Sequence, residues 1–134
     1  MSPDQMAVLG ANRAFYQAFA QGDTNAMESR WSREAPVACV HPGWAPLLGR
    51  ERVMASWRGI LENGSTNVSY DHATAHVLGH TAYVVCREQV GESLLAATNF
   101  FVLEDGDWKL VHHQATPVAR RHRDAPIPEQ GPLN

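Results

Sequence analysis

Hydrophobic positions along the chain change their period once. Up to residue 62 they recur three and four residues apart, and from residue 68 to residue 116 they alternate with polar ones. Val8, Ala11, Phe15, Ala18 and Phe19 form a helical stripe that predicts a first helix over 4–21. Ser2 or Asp4 caps it, Pro3 fits its opening turn, and Gly22 is the natural stop. Asp23 or Thr24 then caps a short second helix that carries Met27 and Trp31 on its inner side. Pro36 ends that region, residues 37–41 read as a short strand, and Pro42 halts it. Val53, Trp57, Ile60 and Leu61 predict a third helix over 50–62, closed by Asn63 and Gly64. The remainder is β: 68–78 and 82–90, broken at Gly79-His80, then 96–103 and 108–116. The last two runs flank Glu104-Asp105-Gly106-Asp107. Asp-Gly between alternating strands signals a tight hairpin, because both central residues of such a turn need positive φ.

This hairpin organises the chain. Period-two alternation puts Ala97, Asn99, Phe101 and Leu103 on one face of its first strand. On the second it puts Val111, His113 and Ala115 on one face and Trp108, Leu110, His112, Gln114 and Thr116 on the other. Both faces are largely apolar, so both need cover, one from the protein's own helices and the other from a second subunit. Helices followed by a run of antiparallel strands make an α+β domain, a curved antiparallel sheet wrapped around N-terminal helices with a pocket between them. The domain is expected over residues 1–118. Residues 119–134 are Pro-rich, polar and without period, and read as a flexible tail.

At 134 residues the chain is one domain, with 44% hydrophobic and 19% charged residues. A net charge of −3 leaves no basic stripe, so nucleic acid is not an expected partner. No apolar run approaches the ~18–20 residues of a membrane span, and the first residues lack the layout of a signal peptide. Cys39 and Cys86 sit in apolar strand runs without CxxC spacing. They read as buried free thiols in a reducing cytoplasm rather than as a disulfide. His72, His76 and His80 are spaced like a helical metal face, but four residues along a strand span ~13 Å. With no HExxH, phosphate loop or GxSxG present, neither a metal nor a cofactor is expected.

Several stretches resemble the SnoaL-like group of the nuclear transport factor 2-like cone fold. They are residues 15–19 (FYQAF) with Gly22-Asp23, the His41-Pro42-Gly43-Trp44 loop, residues 48–57 (LGRERVMASW) and residues 106–116 (GDWKLVHHQAT). The resemblance covers about residues 4–118 and implies a cone-shaped barrel with an internal pocket, dimeric through its sheet. Its members range from isomerases, dehydratases and cyclases to scaffolds, so it implies a fold more sharply than an activity. Comparison with the ketosteroid isomerases of that group carries their catalytic base to His41 and their oxyanion-hole acid to Asn99. Their oxyanion-hole tyrosine falls on Phe15, with Tyr16 one position along and so turned elsewhere.

Each candidate has two readings. His41 is a general base at the pocket mouth, or a histidine satisfying the turn before Pro42. Asn99 is an oxyanion-hole donor, or a core amide tying strands together. His112 and His113, adjacent in a strand, face opposite ways, and the comparison puts His113 in the pocket. Arg87 either holds a carboxylate ligand in the same cavity or pairs with Glu88, Glu92 or Glu104 on the surface. Trp44 and Trp57, with Phe15 and Phe101, are expected to wall a site for a small hydrophobic molecule. If catalytic, that site would perform cofactor-free isomerisation, dehydration or cyclisation by proton transfer at His41, with Asn99 and His113 stabilising charge on oxygen. The alternative is a non-catalytic dimeric binding or assembly module.

Overall fold

The Ser2 hydroxyl accepts the backbone N–H of Gln5, and the Gln5 side chain accepts the N–H of Ser2. This reciprocal capping box opens helix α1 (Pro3–Gln21) in the computed structural model, which describes residues 1–119. The tail from residue 120 onward lies outside the described residues. Gly22 ends α1 at φ 65°, its N–H turned back to the Ala18 and Phe19 carbonyls. Asp23 caps the short α2 (Thr24–Arg30), and α3 spans Arg50–Leu61. Arg50 bonds the carbonyls of Glu28, Trp31 and Ser32, which fastens the end of α2 to the start of α3.

Between α2 and α3 lie β1 (Ala38–Val40) and the two-residue β2 (Leu47–Leu48), the latter too short to show in the sequence pattern. Four long strands follow: β3 (Val68–Leu78), β4 (Thr81–Val90), β5 (Ser93–Glu104) and β6 (Asp107–Pro117). The sheet runs β2-β1-β6-β5-β4-β3 and stays unclosed. Its long strands are antiparallel neighbours, as expected, while β1 crosses over to run parallel to β6. That crossover sets Cys39 beside His113 and brings the loop after β1 to the end of the central hairpin. The hairpin turn has both Asp105 (φ 51°) and Gly106 (φ 82°) at positive φ, as the Asp-Gly signal requires.

Simple alternation fails at one point in β6. Phe100 pairs with His112 and Phe101 with Leu110, so Val111 is an extra residue opposite no partner. The bulge reverses the facing of everything before it. Trp108 and Leu110, expected on the outer face, join the core alongside His113 and Ala115, and Val111 does not. The core centres on Phe15, Met27, Trp31, Trp57, Phe101 and Leu110, all at most 1% exposed. Cys39 and Cys86 are buried free thiols. Burial pushes both up to about 12, since a thiolate would lose its hydration there.

Candidate functional site

The open end of the layer between helices and sheet holds a cavity of about 350 Å³. Phe19 of α1 and Ile60 of α3 wall one side. His41, Pro42 and Trp44 come from the loop after β1, Glu88 and Val90 from β4, Leu94 and Leu95 from β5, and His113 and Pro117 from β6. The lining is mostly apolar, and among the described residues it includes neither Lys nor Arg. Three titratable side chains reach it, and each is nearly sealed from bulk water: His41 (4% exposed), Glu88 (2%) and His113 (1%).

His41 follows β1 and faces inward because Cys39, two residues earlier, also does. Its Nε2 lies 2.9 Å from Ser56 Oγ, while the Ser56 hydroxyl donates to the Val53 carbonyl at 2.6 Å. With that hydrogen committed, Ser56 accepts from His41, so Nε2 carries the imidazole proton and Nδ1 the lone pair. Nδ1 has only the Cys39 sulfur within reach, at 3.9 Å. The ring is held edge-on between Trp57 and Trp44, each 4.9 Å away centre to centre. Burial lowers its pKa from 6.5 to about 4, so the ring is neutral and its lone pair free at neutral pH.

Asn99 and His113 are opposite each other on β5 and β6, which sets Asn99 Oδ1 2.5 Å from His113 Nδ1. The Asn99 amide donates to Asn12 Oδ1 at 2.8 Å and to the Tyr16 hydroxyl oxygen at 3.2 Å. Its amide hydrogens are therefore committed, and Asn99, fully buried, holds the His113 ring through Oδ1. The Tyr16 hydroxyl donates to Glu88 Oε2 at 2.6 Å, and the same oxygen lies 3.7 Å from His113 Nε2. Burial lowers the pKa of His113 to about 3, with the neighbouring His41 and His112 adding to the effect. Burial also raises Glu88 against the opposing hydrogen bond from Tyr16. Both shifts favour a neutral pair, an imidazole beside a protonated carboxyl.

Only some of the sequence candidates meet here. His41, Trp44 and His113 line the cavity, with Trp44 at its rim, 49% exposed. Trp57 and Phe15 lie behind the lining as its support, Phe15 packing 5.0 Å from the His113 ring and 5.6 Å from Trp57. Phe101 belongs to the core. Arg87 is on the opposite face of β4 from Glu88 and forms a paired contact with Asp71 at 2.7 and 2.8 Å. That facing follows from alternation once Val84, Cys86 and Glu88 are buried. Tyr16, expected to turn away, is buried and joins the polar network. Glu88 and Asn12 were not picked out from the sequence. The available signal was a carboxylate two residues after Cys86 on an inward-facing strand register, and an asparagine one helical turn before Tyr16. No group of His, Cys, Asp and Glu among the described residues is placed to hold a metal ion. Likewise, no described helix is long and apolar enough to cross a membrane.

Residues 8–120 match the family model of the SnoaL-like domain. Among solved structures, a dehydratase candidate of the NTF2-like family from Streptomyces avermitilis is 35% identical. Its TM-score is 0.76, over 87% of this chain and 96% of that one. A candidate calcium/calmodulin-dependent protein kinase type II association domain from Thiobacillus denitrificans is 28% identical, with TM-score 0.73 over 83% and 94%. A ketosteroid isomerase-like protein from Erwinia carotovora atroseptica shares the fold at 13% identity, TM-score 0.72, over 89% and 99%. No curated protein matches the chain by sequence.

Proposed function

Because the chain belongs to the SnoaL-like family, whose fold builds a pocket between helix and sheet, we propose that it catalyses proton transfer on a small, uncharged, largely apolar molecule. The reaction class is isomerisation, dehydration or cyclisation next to a carbonyl or hydroxyl, with no cofactor. One observation carries this reading: His41, Glu88 and His113, all nearly sealed from water, converge on a cavity whose other walls are mostly apolar. Buried ionisable groups with opposed shifts are costly to keep in a fold and suit acid–base work. The cavity volume lies near the lower end of the ~300–1,000 Å³ typical of small-molecule sites. Neutral imidazoles, a carboxyl whose charged form burial disfavours and the lack of lining cations favour an uncharged substrate.

His41 Nδ1 is the base in this reading. It takes a proton from carbon beside the carbonyl, and His113, held by Asn99, lines the same cavity. The similarity to the Streptomyces dehydratase candidate is consistent with that chemistry. The test is a panel of small β-hydroxy ketones and β,γ-unsaturated ketones, followed by the ultraviolet absorbance of the conjugated product. A substrate should lose about 10²-fold or more of its turnover in His41→Gln while still binding. Turnover unchanged in that variant would overturn the assignment of the base.

A second reading, a dimeric binding or assembly module, rests on the outer face of the sheet. Val85 and Phe100 are 41% and 37% exposed there, beside His112 and Gln114. The sequence-level expectation of a homodimer through the sheet would use this face, and sedimentation of the wild type against Phe100→Glu tests it. A dimer that binds the panel ligands without turnover would favour this reading.

A further inference from the structure

The proton-transfer reading leaves open what supplies the second proton. Removing one from carbon builds negative charge on oxygen, and that oxygen needs a donor. Asn99 is committed elsewhere, and His113 presents Nε2 without a hydrogen, because its Nδ1–H is held by Asn99 Oδ1. Glu88 remains. Its Oε2 accepts the Tyr16 hydroxyl, whereas Oε1 has no hydrogen-bond partner among the described residues and is not one of the sealed polar atoms. Glu88 itself lines the cavity.

We propose that Glu88 is the proton donor of this site: its carboxyl, fixed through Oε2 by Tyr16, presents a proton on Oε1 to a substrate oxygen. This deepens the reading above and rests on it. Tyr16, Asn99 and Asn12 are positioning residues. Tyr16 occupies one carboxyl oxygen, so the acid proton belongs on the other. The Asn12–Asn99 pair fixes the His113 tautomer, so that Nε2 faces the carboxyl with a lone pair. A substrate oxygen seated there accepts from Glu88 Oε1, and if it is a hydroxyl it donates its own hydrogen to His113 Nε2. The site therefore selects a carbonyl or hydroxyl without a charge, since an anionic substrate would meet a donor but no counter-ion.

The step balances. His41 Nδ1 takes the carbon-bound proton, and the electron pair of that C–H bond forms the new carbon–carbon double bond. The Glu88 O–H bond breaks as its proton joins the substrate oxygen. In an isomerisation, His41 delivers its proton to the new carbon as the enol O–H bond breaks and returns its proton to the Glu88 carboxylate, which leaves both groups as they began. In a dehydration, the C–O bond breaks and the oxygen leaves as water. After the dehydration His41 returns its proton to the Glu88 carboxylate through solvent, with no net gain or loss.

The experiment is infrared difference spectroscopy on the full chain at neutral pH, with cyclohex-2-enone as an uncharged carbonyl probe. The wild type should show a protonated-carboxyl C=O band above the amide envelope, absent in Glu88→Gln. Adding the enone should shift that band to lower frequency and shift the enone's own carbonyl band with it. Tyr16→Phe, which keeps the ring, should retain the carboxyl band but move it. A wild type without the band would overturn the proposal, and so would a band that ignores the enone. These readouts do not depend on turnover, so a failed substrate panel would count against the proton-transfer reading alone. Should a substrate be found, Glu88→Gln should lower kcat about 10²-fold with little change in KM. An unchanged kcat would overturn the proposal.

Discussion

Replacing His41 by Gln should make the protein markedly less sensitive to acid. The imidazole is held neutral by burial, with a pKa of about 4 against 6.5 for a free histidine. Between those values the unfolded chain binds a proton that the folded chain refuses. Its contribution to stability is therefore complete above pH 6.5 and is lost as the pH falls toward 4. One pH unit of displacement corresponds to about 1.4 kcal/mol, so at about pH 5 the histidine costs about 2 kcal/mol that it does not cost at about pH 7.5. Gln keeps an amide N–H for the Ser56 hydroxyl that His41 Nε2 now faces, so most local packing survives. Glu88 titrates in both chains and cancels in the comparison. His113, whose pKa is lowered partly by the neighbouring His41, relaxes upward in the variant and changes the difference in the same direction. The assay is urea unfolding of wild type and variant at the two pH values, read by tryptophan fluorescence. Wild type should lose about 2 kcal/mol more than the variant on acidification. Parallel losses in the two chains would refute a neutral, buried His41.

Two further predictions concern the frame that holds the site. Trp57 is fully buried and touches Phe15, Phe19, His41 and His113, so Trp57→Ala should cost about 3–5 kcal/mol, measured by urea titration. Gly22→Ala should lower the melting temperature sharply, because φ is 65° and an added Cβ would come within 2.0 Å of the Gly64 carbonyl oxygen. Gly10→Ala, with open space around its Cβ on α1, should instead stabilise by about 0.5–1 kcal/mol.

Periodicity alone placed the three helices, the four long strands and the hairpin turn, because each signal is local. A helical stripe, a capping box or an Asp-Gly pair acts over a few residues and meets its partners within the same element. Alternation gave each of Asn99 and His113 a face, and the ketosteroid isomerase comparison turned His113 to the pocket, but their pairing across the hairpin follows from the Val111 bulge. The SnoaL-like resemblance located His41 at the cavity and named the family. Tertiary structure decided what the period could not carry. The Val111 bulge adds one residue to β6 and exchanges the facing of Trp108 and Leu110, and no local pattern marks where an extra residue will be accommodated. Tyr16 and Glu88 lie 72 residues apart, and their contact exists only because α1 crosses the sheet beside β4. On the sequence Glu88 looks like any strand carboxylate. Its character comes from lying between Tyr16 and His113 at 2% exposure, where little water reaches to solvate a charge. Chemistry of that kind depends on dielectric and on long-range neighbours, and both arise only when the chain has closed around the site.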